Sequence, residues 1–133
     1  MISTRIIKEA LPPLPDSDSD KNDGAEIIFH GRVRGEEKGN NIVALDYEYY
    51  QPMAGRRLQQ VAETAVQKFE IHKLLCIQRV GYVEVGEIAL RVIIYSGHRK
   101  EGLKALDWFI TELKNEVPIW KWAVTEDGQR FPT

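Results

Sequence analysis

Two rhythms of apolar residues divide this chain. Leu58, Val61, Ala62, Ala65, Val66 and Phe69 recur at i, i+3, i+4, i+7, i+8 and i+11, the stripe of one helix face. Pro52 stands ahead of them at a favoured first-turn position. A second helical stretch follows Ser96-Gly97-His98-Arg99. There Leu103, Leu106, Ile110 and Leu113 are spaced three, four and three apart, which predicts that these four face the core and that Lys114 sits at the edge of the buried stripe. Pro118 cannot continue that helix and pushes Val117 toward an extended conformation.

The other rhythm is strand-like. Ile2–Ile7, 25–33, 42–50, 72–80 and 88–95 read as strands, the 42–50 segment by strict alternation of Val43, Leu45, Tyr47 and Tyr49 with Ala44, Asp46 and Glu48. Residues 88–95 are apolar on both faces and so belong in the centre of a sheet. Ile119-Trp120-Lys121-Trp122 is a last strand, with Lys121 opposite its two Trp neighbours. Glu36 to Asn41 reads as a loop, Gly81 to Glu87 as a glycine-bounded turn or bulged connection, and Glu126-Asp127-Gly128 as a turn. The order strands, helix, strands, helix, strand predicts an α+β fold with two main helices and a mixed, largely antiparallel sheet.

The length of 133 residues suits a single domain, 1–133. Residues 11–24 hold three Pro and four Asp with almost nothing to bury, a polar loop or linker ahead of a body at 25–128. No apolar run approaches a membrane span, and the first residues lack the apolar stretch of a signal peptide. The lone cysteine, Cys76, sits in the apolar run Leu74-Leu75-Cys76-Ile77 and reads as buried and inert, in keeping with a reducing cytoplasm. Residues 1–29 hold three of the 18 Lys and Arg but six of the 20 Asp and Glu, leaving 15 against 14 in the rest. Nothing global suggests nucleic acid, and any anion site must be local.

The chemistry-bearing residues are few. There is no Gly-rich phosphate loop and no nucleophile elbow, and His30, His72 and His98 lack metal-ligand spacing, so no metal is expected. What remains is Arg34, His98, Arg99, Lys114 and Lys121. Free N–H groups at the start of the second helix make an anion seat beside His98 and Arg99. Arg34, sharing a face with Arg32 in an extended chain, suits a bidentate phosphate clamp or is simply a solvated strand end. A partly buried lysine serves as base or nucleophile, and a charged one holds a carboxylate or oxyanion. Equally, Lys114 fits an ordinary helix C-terminal cation and Lys121 an ordinary edge-strand lysine. Composition and spacing go no further than that.

At these residues the chain resembles a known family. The pieces are Asp23-Gly24-Ala25; Phe29, Gly31 and Val33-Arg34; Leu45, Tyr47-Glu48, Tyr50 and Met53-Ala54; Arg79, Gly81 and Gly86-Glu87; Ser96 with His98-Arg99; and Leu113-Lys114 followed by Val117-Pro118-Ile119-Trp120-Lys121. In that order over residues 23–128 they resemble the large catalytic subunit of molybdopterin synthase, the MoaE family. The resemblance implies an α/β-hammerhead-type fold and a sulfurtransferase that converts cyclic pyranopterin monophosphate into the dithiolene of molybdopterin. It implies a sulfur donor too: the thiocarboxylate on the C-terminal Gly-Gly of a small ubiquitin-like subunit. It implies a homodimer of large subunits with a small subunit at each end, acting in molybdenum cofactor biosynthesis in the cytoplasm without a cofactor of its own.

Carried over residue by residue, Lys114 and Lys121 match the catalytic lysines where the partner's tail ends, and Arg34, His98 and Arg99 match the residues that hold the substrate's phosphate and pterin. Lys100-Glu101-Gly102-Leu103, Trp122-Ala123 and Gln78 depart from the family's pattern, Gln78 standing where a histidine is common. The departures at 100–103 and 122–123 motivate the alternative, a catalytically impaired paralogue that binds a ubiquitin-like partner or a pterin. Trp120, Trp122 and the apolar strand 88–95 look like more than one small core can bury, a separate reason to expect a dimer.

Overall fold

The computed structural model describes all residues, 1–133. Two four-stranded sheets carry the architecture. In the first, β1 (Ile2–Ile7), β6 (Ile71–Arg79), β8 (Ile88–Ser96) and β2 (Ala25–Arg32) lie in the order β1-β6-β8-β2, parallel only between β1 and β6. Helices α1 (Met53–Lys68) and α2 (Arg99–Glu116) cover one face of it. In the second, β10 (Arg130–Pro132), β9 (Ile119–Val124), β5 (Ala44–Tyr49) and β7 (Gly81–Glu84) are antiparallel throughout, in the order β10-β9-β5-β7. The α+β reading with two helices and a mostly antiparallel arrangement holds. β8 is central, as its two-sided apolar pattern requires, and all but the first of its nine residues are buried.

The main core joins Leu58, Val61, Ala62 and Ala65 of α1, Leu74 and Cys76 of β6, Leu90, Val92 and Ile94 of β8, and Ala105, Phe109 and Leu113 of α2. Burial pushes the Cys76 thiol upward, which keeps it protonated and unreactive. A smaller core under the second sheet joins Val33, Ile42, Leu45, Val83, Ala89 and Ala123.

Three expectations change. First, α2 turns a different face inward. Gly102, Ala105, Phe109 and Leu113 are buried, Leu106 and Ile110 are half-buried, and Leu103 is exposed. The cause is Gly102: a Cβ there would stand 2.5 Å from Ile27 Cδ1 and 2.7 Å from Ser96 Oγ, so only glycine lets the helix approach β2 and β8 this closely. Second, part of the 81–87 connection is a true strand. Gly81–Glu84 pairs with β5, and Val83 enters the smaller core between exposed Tyr82 and Glu84. The loop at 36–41 is likewise a hairpin, Glu36–Glu37 (β3) against Asn40–Asn41 (β4), turned by Lys38 (φ 51°) and Gly39 (φ 79°) as a tight primed turn demands. Third, strand 88–95 is consumed by the chain's own core and leaves no surplus; among the residues invoked for a dimer, Trp120 is the exposed one.

Residues 10–20 have no regular secondary structure and run across the sheet face opposite the helices. Buried Arg91 donates from Nη1 to the Pro12 carbonyl and from Nε to His30 Nε2, and the Asp18 N–H donates to the Tyr95 hydroxyl. Just ahead of β2, the Gly24 N–H donates to the Ser96 carbonyl. No helix is long and apolar enough to cross a membrane.

Candidate functional site

One cleft of about 840 Å³ opens where the two sheets and the C-terminal end of α2 converge. It contains three of the five sequence-derived candidates: Arg34, Lys114 and Lys121. Each comes from a different element. Val33 is anchored in the smaller core, so the alternation of an extended chain turns Arg34 outward, where its side chain is 79% exposed and its Nε lies 3.8 Å from Glu37. Lys114 follows buried Leu113 in the last turn of α2, at the cleft wall. Lys121 lies in β9 directly opposite Tyr47 of β5, on the face shared with buried Ala123 and Leu45, and is half-buried.

Tyr47 lines the same cleft beside Lys121. Burial, with a smaller contribution from the Glu37 carboxylate, pushes its phenol up to about 12, so it stays a neutral hydrogen-bond donor. In the sequence it stood as an alternating strand residue and as a piece of the family pattern, with no role assigned to it. Gln78 was met in the sequence only as a residue standing where the family commonly has a histidine; it is buried and lines the cleft as well. Four cations (Arg32, Arg34, Lys114, Lys121) face two carboxylates (Glu37, Glu48) around this opening, a local positive excess in a chain of net charge −2. Such a site attracts an anionic substrate and stabilises charge that develops on oxygen or sulfur.

His98 and Arg99 are elsewhere. They stand exposed at the opposite end of α2, His98 in extended conformation as its N-cap residue. Lys114 comes fifteen positions after Arg99 along the helix, about 22 Å at the α-helical rise. Ser96 Oγ donates to the His98 carbonyl at 2.7 Å and fixes the backbone there, while no side chain caps the helix. Within one chain these two residues do not reach the cleft.

Comparison with known proteins gives one answer. The family described as "MoaE protein" matches residues 8–116. The chain is 40% identical over 112 residues to a molybdopterin synthase catalytic subunit of Dictyostelium discoideum, covering 83% of this chain and 71% of that one. It is 36% identical over 111 residues to the subunit so named in Pyrococcus abyssi, covering 84% and 75%. The crystal structure of molybdopterin synthase from Staphylococcus aureus superposes with a TM-score of 0.83 at 30% identity, over 94% of this chain and 93% of that one.

Proposed function

The chain belongs to the MoaE family, and from that premise we propose that the cleft between its sheets is where sulfur is transferred. The activity is that of a molybdopterin synthase catalytic subunit, a sulfurtransferase of molybdenum cofactor biosynthesis that builds the molybdopterin dithiolene on cyclic pyranopterin monophosphate. The observation that carries this reading is the convergence of Arg34, Lys114 and Lys121, from three separate elements, on one cleft. The cleft is open enough to admit an extended Gly-Gly tail of a small ubiquitin-like subunit, and the two lysines orient its thiocarboxylate. Lys121, half-buried beside the neutral Tyr47 phenol, polarises the thiocarboxylate carbonyl; Lys114 at the wall relays protons and holds charge. Holding tail and pterin together supplies the proximity on which such a transfer depends.

His98 and Arg99 bind the substrate's phosphate and pterin from a second copy of the chain. The length of α2 supports this placement, since it keeps them out of their own cleft. The working unit is then a homodimer with a small subunit at each end, acting in the cytoplasm, where buried Cys76 stays reduced.

The test is a single turnover. The purified chain is mixed with cyclic pyranopterin monophosphate and thiocarboxylated small subunit, and the dithiolene product is sought by mass spectrometry. Product formation is expected. Binding of the small subunit without product would favour the paralogue reading and make Trp122 and Ala123 the first residues to revert.

A further inference from the structure

At the inner end of the cleft, Gln78, Leu90 and Gly31 form one row across β6, β8 and β2. Gly31 carries no side chain, and the Phe29 ring lies 3.3 Å from where its Cβ would be. The result is an apolar stretch of the cleft lining made by Leu90 and by the Phe29 ring lying against Gly31, suited to a flat heterocycle. Gln78 is the one polar side chain in the inward row that begins with Leu74 and Cys76, and it is only 4% exposed. Burying a carboxamide there is costly unless its groups are used.

Half of it is used by the protein. Nε2 donates both hydrogens to backbone carbonyls, at 2.8 Å to Arg79 and 3.1 Å to Ala89. Because both neighbours are acceptors, the amide orientation is fixed: nitrogen toward the backbone, oxygen away from it. Oε1 accepts nothing from the protein. The side-chain polar atoms sealed off without a partner are Arg79 Nε and Trp122 Nε1, so Gln78 Oε1 keeps access, and the space it borders is the cleft. It is an acceptor locked in direction, left open beside that apolar stretch.

We propose that Gln78 is a specificity-determining residue, its carboxamide oxygen accepting a hydrogen bond from the ring lactam N–H of the pterin. This rests on the pterin reading of the cleft given above. A pterin presents that donor at its edge, whereas a flat ring without an N–H leaves Oε1 unpaired in a buried place, the arrangement by which a site rejects an analogue.

The experiment measures binding by quenching of pterin fluorescence, with 6-hydroxymethylpterin monophosphate and its derivative methylated on the lactam nitrogen. Wild type and Gln78→Met are compared; methionine keeps the length and apolar fit of the side chain and removes the acceptor. Wild type is expected to favour the unmethylated compound by at least about ten-fold, the scale of one hydrogen bond lost with its partner left unpaired. In Gln78→Met that preference is expected to vanish, with inhibition by inorganic phosphate unchanged. The preference is a ratio within one protein, so general loosening of the fold does not mimic its loss. An undiminished preference in Gln78→Met overturns the role of Gln78 and leaves the sulfur-transfer reading standing. Failure of wild type to bind either compound overturns the pterin reading and this inference with it.

Discussion

The two ends of α2 carry similar polar equipment in opposite surroundings. At its C-terminal end, Lys114 is joined by Lys121 and Arg34 across a gap walled by both sheets. At its N-terminal end, His98 and Arg99 are held on a firm backbone, through Ser96 and the Gly24 N–H, but face no wall of their own chain. A cleft is made by convergence of several elements, whereas a helix terminus supplies only a direction and a partial charge. The first end therefore reads as the place where bonds change. The second reads as a half-site that becomes useful when another surface is brought to it.

The sharpest way to break this comparison is to disable each end in turn. Lys121→Ala is expected to lower the single-turnover rate by about 10²–10⁴-fold, the usual worth of a positioned proton-transfer group, with fold and small-subunit binding retained. Arg99→Ala is expected to act mainly on KM, raising it by about ten-fold, because a phosphate contact is lost rather than a reacting group. Near-normal turnover by Lys121→Ala would remove the distinction between the ends. A second test asks whether the N-terminal end serves a neighbour. Lys121→Ala and Arg99→Ala are mixed under subunit exchange and assayed well below KM, where Arg99→Ala alone keeps about a tenth of wild-type activity; statistical pairing restores one intact site in each mixed dimer, about a quarter of wild-type activity. No recovery, with exchange verified by mass, would place His98 and Arg99 outside the site.

Stability separates the two ends as well. A Cβ on Gly24 would lie 2.2 Å from the Gly97 carbonyl oxygen, a backbone atom with little room to yield. Gly24→Ala is expected to cost about 1–3 kcal/mol, read as a lower melting temperature, with faster hydrogen exchange at 96–100 and little change around Lys114. The smallest effect is one of pH. Burial, then the charges of Arg91 and Arg32, hold the His30 imidazole below its ordinary range. As pH falls through the ordinary histidine value the unfolded chain takes up this proton before the folded one does, so the stability present at pH 7 declines toward pH 5. His30→Gln keeps an acceptor for Arg91 and removes the titration; its melting temperature should change less across that window. An unchanged slope would show that His30 does not set this pH dependence.

The sequence by itself determined the elements and most of their inward faces. Helix and strand periods are local, and the α1 stripe, the two-sided apolar strand 88–95 and the stop at Pro118 were legible because each depends on near neighbours in the chain. The motif order also carried the family. Tertiary structure decided the rest. Which stripe of α2 turned inward depended on the missing Cβ of Gly102 against Ile27, a contact 75 positions apart in sequence. Gly81–Glu84 became a strand because β5 offered it an edge. The five candidate residues were one group on paper; packing drew Arg34, Lys114 and Lys121 to a single cleft and left His98 and Arg99 a helix length away. The same packing turned Gln78 from a departure from the family's pattern into a fixed acceptor, because the pairing of β6 with β8 brought the Ala89 carbonyl within reach of a nitrogen that also meets the carbonyl of its neighbour Arg79. Periodicity reports which way a side chain points; what it meets there depends on elements distant in the chain.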